Sequence, residues 1–169
     1  MRYQDLYEKN ANFYRKHPLA LKTLIACNWL LTGIFFAAYG ALIAYALVNK
    51  LGVWTLCSIL GVPALCLVCT SVLRKLIARA RPYSEKGANI KPLIIKNTKS
   101  DCSFPSRHLS SAYVIATVVL FHSTGAGIFL LALGLPLGYA RFALGLHYPS
   151  DLFGGALLGT FCGILFLLF

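Results

Sequence analysis

Long stretches without a charged side chain constrain this chain more than any other feature of its sequence. Residues 23–49 form one such stretch of 27 positions, and residues 51–73 form a second. A transmembrane helix needs about 20 predominantly apolar residues to cross the hydrocarbon core of a bilayer. The composition agrees, since 58% of the residues are hydrophobic and only 12% are charged. The sequence therefore predicts an all-α, polytopic membrane helix bundle.

Five apolar segments outline a single membrane-embedded domain over residues 1–169. Besides the first two segments, apolar runs at residues 106–122, 127–144 and 152–169 predict three further transmembrane helices. The third and fifth helices are short, so we expect them to begin below the membrane surface, at a recessed site. Glycines four residues apart in the last two segments are typical of closely packed membrane helices.

The segments outside the membrane also carry structural signals. Apolar and aromatic residues recur at helical spacing within residues 1–18, which predicts an interfacial helix lying on the membrane surface; a frayed tail is the simpler alternative. Residues 82–105 form a loop that is long for a compact bundle. Four lysines of this loop surround a small apolar patch at residues 93–95. We expect the loop to act as an active-site lip that dips into the headgroup layer and controls substrate entry.

Charge and cysteine content limit the partners of the chain. The formal net charge is +11, and the basic residues lie among membrane spans, which favours anionic lipids and phosphorylated substrates over nucleic acid. Five of the six cysteines lie in apolar stretches, where cysteine acts as a small hydrophobic residue. Cys66 and Cys69 have no second pair beside them, so neither a zinc site nor a disulfide framework is expected. Cys102 is interpreted as an incidental loop residue near the candidate site.

Three polar clusters stand at the edges of the spans, where ionisable groups are costly and need a reason. The first runs from Arg74 to Pro82 and contains four basic residues. The second runs from Phe104 to His108, and the third from Arg141 to Asp151. Because successive spans alternate in direction, all three clusters are expected to meet on one face of the bundle.

The second and third clusters carry groups suited to phosphate chemistry. Ser106 follows a proline and predicts a helix N-cap, which would direct the first backbone N–H groups of that helix toward the site, where they could bind phosphate. His147 and Asp151 are four residues apart, and a carboxylate beside an imidazole orients it and fixes its tautomer. Arg141 offers a planar fork that suits phosphate oxygens.

Arg74 and Arg81 add charge at the end of the second span. They are seven residues apart and would share a helical face if the helix reached Arg81, whereas Lys75 would point elsewhere. Pro82 biases Arg81 out of helical geometry, so we expect the helix to end there. Each cluster alone also fits a structural role, as a capped helix start, a snorkelling arginine or a headgroup anchor. Their convergence favours a phosphate site.

At these positions the chain resembles the type-2 phosphatidic acid phosphatase superfamily of membrane lipid phosphatases. That family has three motifs: Lys-x6-Arg-Pro, Pro-Ser-Gly-His and Ser-Arg-x5-His-x3-Asp. This chain matches them at residues 74–82, 105–108 and 140–151. Three positions depart from the motifs, with Arg74 in place of lysine, Arg107 in place of glycine and Ala140 in place of serine.

The resemblance implies a role for each matching residue. His147 would attack phosphorus and form a phosphohistidine, Asp151 would orient it, and His108 would protonate the leaving oxygen. The residues implied in holding the phosphoryl oxygens are Arg74, Arg81, Ser106, Arg107 and Arg141. No metal ion or cofactor is implied, because arginines and backbone amides supply the positive field that stabilises the transition state.

The predicted function is hydrolysis of a phosphate monoester or diphosphate of a membrane lipid. The resemblance favours undecaprenyl diphosphate as substrate, with phosphatidate and phosphatidylglycerophosphate as the other candidates. Two alternatives stay open. One is a lipid phosphotransferase that uses the same phosphohistidine, and the other is a non-catalytic lipid-binding membrane protein.

Charge and resemblance disagree about the side of the membrane on which the site lies. All of the 16 Lys and Arg residues except Lys50 fall on the predicted active-site face. The positive-inside rule would place that face in the cytoplasm. Basic residues that bind substrate raise this count, and resemblance to bacterial family members implies the opposite orientation. We therefore expect a multi-pass protein of a bacterial plasma membrane with an extracytoplasmic active site.

Overall fold

The computed structural model describes residues 3–84, 86–94 and 102–168, and these residues form six α-helices followed by a short 3-10 turn. Within these residues there are no strands, which confirms the all-α prediction. The helices are α1 (Tyr3–Lys16), α2 (Pro18–Val48), α3 (Val53–Ile77), α4 (Arg107–His122), α5 (Thr124–Ala143) and α6 (Pro149–Ile164), and the 3-10 turn is Leu165–Leu168.

Among the described helices, α2, α3 and α5 are long and apolar enough to cross a membrane. With 31 residues, α2 rises about 46 Å and exceeds the ~30 Å hydrocarbon core. The helices α4 and α6 have 16 residues each. They rise only about 24 Å, which agrees with the short third and fifth segments of the sequence.

The short helix α4 occupies the centre of the bundle, where α2, α3, α5 and α6 all contact it. Nine of its sixteen residues are buried. Because four neighbouring helices cover most of α4, it need not match the thickness of the hydrocarbon core. Its N-terminus can therefore lie below the membrane surface.

Glycines let α6 pack directly against α4, as their spacing predicts. A Cβ atom at Gly155 would lie 2.7 Å from the carbonyl oxygen of Ser106, and one at Gly159 would lie 2.4 Å from the carbonyl oxygen of Ser110. Real Cβ atoms do not approach a backbone oxygen so closely, so these positions require glycine. The close packing brings the first turn of α6 beside the first turn of α4.

The helix α3 ends four residues before the predicted boundary. Ala78 adopts a left-handed conformation with φ 46°, and its N–H bonds to the carbonyl oxygen of Arg74. Ala80 then forms a β-bridge with Cys102, so the segment after α3 is not helical. Arg74 and Arg81 therefore do not share one face of a helix. The turn at Ala78 instead directs Arg81 into the protein.

The amphipathic helix α1 covers part of the protein rather than only the membrane. Tyr7 and Ala11 are fully buried and pack against Ile90 of the loop between α3 and α4. The hydroxyl of Tyr7 donates a hydrogen bond of 2.9 Å to the carbonyl oxygen of Lys91. Leu6 remains 44% exposed on the side away from the loop. One side of the helix thus holds the loop, and the other is available to the membrane.

The described part of that loop packs on the protein. The N–H of Leu93 bonds to the carbonyl oxygen of Leu144, and Leu93 and Ile94 pack against the cluster that contains Leu24. Both side chains are only partly buried, and insertion of the loop into the headgroup layer stays a prediction. Ile95, the third member of the predicted patch, lies outside the described residues. A gating movement of the loop stays a prediction.

Candidate functional site

The three polar clusters meet at one end of the bundle. The N–H of Ser106 bonds to the carbonyl oxygen of Asp151 at 2.9 Å and joins the starts of α4 and α6. The hydroxyl of Ser103 lies 3.2 Å from the carbonyl oxygens of Arg79 and Ala80, which ties the segment after α3 to the same place. Backbone contacts therefore assemble the site from three distant parts of the sequence.

Ser106 occupies the N-cap position of α4, as predicted, but its side chain does not cap the helix. Its hydroxyl oxygen is buried and has no hydrogen-bond partner among the described residues. Buried polar atoms are normally hydrogen-bonded, and the first amides of a helix have no acceptor within the helix itself. A buried hydroxyl beside these amides marks a position for a polar, preferably anionic, ligand.

His108 and Arg107 share the first turn of α4 but differ in exposure. His108 is half-buried and lines a cleft between α2 and α4. Arg107 is exposed, and its guanidinium donates to the hydroxyl of Ser71 on α3 at 3.4 Å. Arg107 therefore lies at the rim of the site, and phosphate binding by its side chain stays a prediction.

Arg74 is 3% exposed and directs its guanidinium at the loop that precedes α4. Its Nη1 donates to the carbonyl oxygens of Ser103 at 3.3 Å and Pro105 at 3.0 Å, and its Nη2 donates to that of Cys102. The planar fork of arginine can reach three carbonyls at once, whereas a lysine would supply one point charge. The arginine at this motif position thus holds the loop together, and its contact with phosphate stays a prediction.

Arg81 and Arg141 add two further buried guanidinium groups, with exposures of 7% and 3%. The Nε of Arg141 is buried without a hydrogen-bond partner among the described residues. The carbonyl of Arg141 accepts the N–H of Leu146, which fixes the start of the loop that carries His147. Buried cations are costly unless an anion compensates them. This group of buried guanidinium side chains is therefore suited to a polyanionic ligand.

His147 and Asp151 form a buried pair beside these arginines, with exposures of 3% and 0%. Nδ1 of His147 lies 3.6 Å from Oδ2 of Asp151, just beyond hydrogen-bond length. The same oxygen accepts the N–H of Tyr148 at 2.9 Å, which fixes the carboxylate at the start of α6. Such contacts often tighten only when substrate binds. Because Nδ1 faces the carboxylate, Nε2 is the nitrogen available for chemistry.

Sequence reasoning missed Arg79 as a member of the site. Its Nη1 donates to Oδ1 of Asp151 at 2.9 Å and to the hydroxyl of Ser150 at 2.6 Å, and its guanidinium carbon lies 4.1 Å from the ring centroid of Tyr148. Arg79 thus holds the carboxylate oxygen that does not face His147. The basic cluster was visible in the sequence, but only the turn after α3 shows which of its members reaches α6.

Burial is the main influence on the pKa of His147 and lowers it well below the ordinary value of an imidazole. The positive charges of Arg81 and Arg141 lower the pKa further, and the contact with Asp151 raises it. Burial outweighs the carboxylate. The imidazole is therefore neutral near neutral pH, which is the form that can act as a nucleophile.

Known proteins match this chain in sequence. A family model described as the PAP2 superfamily matches residues 52–169. A lipid A 4'-phosphatase from Bacteroides thetaiotaomicron is 35% identical over 103 residues, which are 59% of this chain and 46% of that protein. Undecaprenyl-diphosphatase BcrC from Bacillus subtilis is 37% identical over 70 residues, which are 41% of this chain and 36% of that protein. The aligned regions thus span less than half the length of these two curated relatives.

Solved structures match the fold over nearly the whole chain. LpxE from Aquifex aeolicus has a TM-score of 0.72 at 25% identity, with 98% of this chain and 94% of that chain covered. A transmembrane PAP2-type phosphatidylglycerolphosphate phosphatase from Bacillus subtilis has a TM-score of 0.64 at 21% identity, with 96% and 90% covered, and shows the fold alone. The family model includes all three polar clusters. This chain, a multi-pass membrane protein, belongs to the PAP2 superfamily.

Proposed function

We propose that this chain is a membrane phosphatase that removes a phosphoryl group from a lipid, with His147 as the nucleophile. The observation that carries the proposal is the position of a buried His147–Asp151 pair among three buried guanidinium groups. Such a site offers a neutral imidazole, a carboxylate to orient it and cations to bind the phosphate. Membership in the PAP2 superfamily and the phosphatase names of the relatives support the same class of reaction.

In the first step, Nε2 of His147 attacks phosphorus, and the bond between phosphorus and the lipid oxygen breaks. His108 gives its proton to that leaving oxygen, which departs as an alcohol or as a lipid phosphate. Asp151 stabilises the positive charge that develops on the imidazole. The buried arginines, the hydroxyl of Ser106 and the first amides of α4 stabilise the negative charge on the phosphoryl oxygens.

In the second step, water releases the phosphoryl group from the enzyme. His108, now unprotonated, takes a proton from a water molecule whose oxygen attacks phosphorus. The bond between phosphorus and His147 breaks, inorganic phosphate leaves, and the neutral imidazole is restored. The protein supplies the positive field through its own side chains, so the proposed reaction is independent of a metal ion.

A polyprenyl diphosphate such as undecaprenyl diphosphate is the favoured substrate. BcrC is an undecaprenyl-diphosphatase. A further relative from Mycobacterium tuberculosis, 34% identical over 94 residues, is a decaprenylphosphoryl-5-phosphoribose phosphatase. Phosphoryl groups on long polyprenyl chains are thus a recurring substrate class among the relatives, and phosphatidate and phosphatidylglycerophosphate are the competing substrates to test.

The test is phosphate release by the purified protein in detergent from undecaprenyl diphosphate, phosphatidate and phosphatidylglycerophosphate, each with EDTA present. We expect activity in EDTA, with the highest kcat/KM for undecaprenyl diphosphate. The variant His147→Ala should lose more than about 1,000-fold in kcat, because the covalent route disappears. His122→Ala, at the opposite end of α4, serves as the matched histidine control.

Three outcomes would contradict parts of the proposal. Full activity of His147→Ala would refute the assignment of His147 as the nucleophile. Loss of wild-type activity in EDTA would show that a metal ion is required. Transfer of phosphate to an added lipid alcohol in preference to water would identify a phosphotransferase.

A further inference from the structure

We propose that Arg107 binds the phosphate group that stays on the lipid when a lipid diphosphate is cleaved. This inference rests on the proposed phosphatase function and adds a residue that distinguishes diphosphates from monophosphates. The family motif has glycine at this position, so the side chain of Arg107 is an addition to the motif. What it binds is therefore a property of this chain rather than of the shared reaction.

The backbone of Arg107 is held in place, and its side chain extends outward. The carbonyl oxygen of Arg107 accepts the hydroxyl of Ser110 at 3.1 Å, and the hydroxyl of Ser110 lies 3.0 Å from that of Thr70 on α3. These contacts fix the first turn of α4 against α3. The side chain itself is exposed, so its guanidinium stands at the rim of the site on a rigid support.

Little in the protein satisfies this guanidinium. Its Nη2 donates to the hydroxyl of Ser71 at 3.4 Å, which is long for a hydrogen bond. Within the described part of the chain, no carboxylate forms an ion pair with Arg107. The first turn of α4 contains no acidic residue, and a cation at the N-terminus of a helix opposes the helix dipole. An anion bound there would interact favourably with both the guanidinium and the dipole.

The chemistry proposed for His108 places the second phosphate of a diphosphate next to Arg107. Nε2 of His147 attacks the terminal phosphorus, and the bond between that phosphorus and the bridging oxygen breaks. His108 gives its proton to the bridging oxygen, which departs on the lipid phosphate. The phosphorus that stays with the lipid is bonded directly to this oxygen. Arg107 is adjacent to His108 in the sequence, and both line the same cleft.

Two sets of cations thus match the two phosphates of a diphosphate. The buried guanidinium groups of Arg74, Arg81 and Arg141 surround the proposed nucleophile and suit the phosphoryl group that is transferred. Ser71, the contact of Arg107, lies three residues before Arg74 and therefore on the neighbouring turn of α3. The planar fork of arginine suits two oxygens of one phosphate.

This position of Arg107 favours diphosphates over monophosphates. In a monophosphate ester the leaving oxygen is bonded to an uncharged carbon, so Arg107 has no anion to bind. In a diphosphate the leaving phosphate gains negative charge as the bond breaks, so its interaction with Arg107 becomes stronger in the transition state. Only such interactions accelerate the chemical step. We therefore expect Arg107 to raise kcat/KM for diphosphates alone.

Two substrates with the same chain, farnesyl diphosphate and farnesyl monophosphate, test this selectivity. With the full-length protein in detergent, Arg107→Gln should lower the diphosphate-to-monophosphate ratio of kcat/KM about tenfold. Arg107→Lys keeps the charge but loses the fork, so its ratio should fall less. Lys75→Gln, at an exposed position on α3, is the control and should leave the ratio as in the wild type. An unchanged ratio in Arg107→Gln would contradict the proposal.

An exposed arginine at a membrane edge also suits a different source of phosphate, the headgroups of surrounding lipids. A headgroup anchor would affect both substrates alike and would depend on anionic lipid. The same assays in micelles with and without phosphatidylglycerol separate the two roles. An equal loss on both substrates that appears only with phosphatidylglycerol would assign Arg107 to the membrane surface and overturn the proposal.

Binding to the His147→Ala variant tests the phosphate site without hydrolysis. The probe is the methylene analogue of farnesyl diphosphate, in which a carbon replaces the bridging oxygen, and farnesyl phosphonate is its single-phosphorus control. In calorimetry, adding Arg107→Gln should weaken binding of the methylene analogue about tenfold and leave that of the phosphonate unchanged.

The two proposals fail in different ways. Binding that depends on Arg107, without phosphate release from any lipid by the wild type, would retain the second phosphate site and refute the phosphatase function. Hydrolysis whose diphosphate-to-monophosphate ratio is insensitive to Arg107 would retain the function and refute the role of Arg107.

Discussion

Asp151 is the residue on which the geometry of the site depends. Its Oδ1 accepts from Arg79, and its Oδ2 accepts the N–H of Tyr148 while facing Nδ1 of His147. The carboxylate is fully buried, so each lost partner leaves a buried charge less well compensated. The orientation of His147, the proposed nucleophile, therefore depends on Arg79 and Tyr148 through Asp151.

Replacing Arg79 tests this dependence. Arg79→Ala removes the hydrogen bonds to Asp151 and Ser150, and hydrogen bonds to charged groups contribute about 1.5–3 kcal/mol each. Because Arg79 is partly exposed, water will replace some of that interaction, and we expect kcat to fall about tenfold with a smaller change in KM. Lys75→Ala, an exposed neighbour in the same basic cluster, is the control. Equal kinetics of the two variants would refute a role for Arg79 in the site.

The pH dependence of the reaction follows from the lowered pKa of His147. As the proposed nucleophile, His147 is active when unprotonated, and a pKa below the usual value of about 6.5 keeps it unprotonated into more acidic solution. We therefore expect the acid limb of kcat/KM to lie below pH ~6.5 for both a lipid monophosphate and a lipid diphosphate. A limb that moves between the two substrates would report substrate ionisation, and a common limb at or above that pH would contradict a neutral, buried His147.

Contacts between residues close in the sequence were predictable from their spacing, whereas contacts between distant parts of the chain were not. His147 lies just before α6 and Asp151 lies in its first turn, four residues later, so the sequence alone indicates their contact. No spacing in the sequence indicated the contact of Arg79 with Asp151, because that contact depends on the left-handed turn at Ala78. Arg74 was favoured over Lys75 because it would share a helical face with Arg81, but the helix ends before Arg81. The bonds of Arg74 to the loop carbonyls follow from tertiary contacts.

At the scale of the elements, the contact between α4 and α6 aligns the two helix starts that carry His108 and Asp151, two of the proposed catalytic residues. Its glycines were predictable from their spacing, since small residues four apart are typical of packed membrane helices. The central position of α4 was not predictable, because hydropathy does not distinguish a helix surrounded by protein from one surrounded by lipid. For the same reason, hydropathy did not indicate that α1 and Leu93 also contact the protein.

A single added methyl group tests the α4–α6 contact. In Gly159→Ala the new Cβ would lie 2.4 Å from the carbonyl oxygen of Ser110, so the helices must separate. We expect a loss of about 1–3 kcal/mol in stability, measured by thermal unfolding in detergent, together with reduced activity. Gly61→Ala in α3 meets no atom within 4 Å and is the matched control. It should be neutral or stabilising by up to about 1 kcal/mol. Similar stability of both variants would contradict the close packing.

At the scale of the whole molecule, the chain concentrates its positive charge at the end that holds the site. Lys50 lies in the connection between α2 and α3, at the opposite end from the three clusters. The charge distribution alone favours a cytoplasmic site, but several of these cations are used within the site rather than at the membrane surface. Arg74, Arg81 and Arg141 are buried and therefore say little about orientation. We propose that the active-site end faces the extracytoplasmic side.

Labelling of single cysteines in intact cells tests this orientation. In a background without the native cysteines, Lys91→Cys should react with a membrane-impermeant maleimide, because Lys91 is exposed at the active-site end. Lys50→Cys should react only after the cells are permeabilised. Labelling of Lys50→Cys alone in intact cells would place the site in the cytoplasm.

The most direct test of the central claim is detection of the covalent intermediate. The protein is mixed with a lipid phosphate, quenched with alkali within one turnover, and mapped by mass spectrometry. The account predicts a phosphoryl group on the imidazole of His147, absent from His147→Ala and present in His122→Ala. Turnover with no phosphorylated residue, or with phosphate on a residue other than His147, would contradict it.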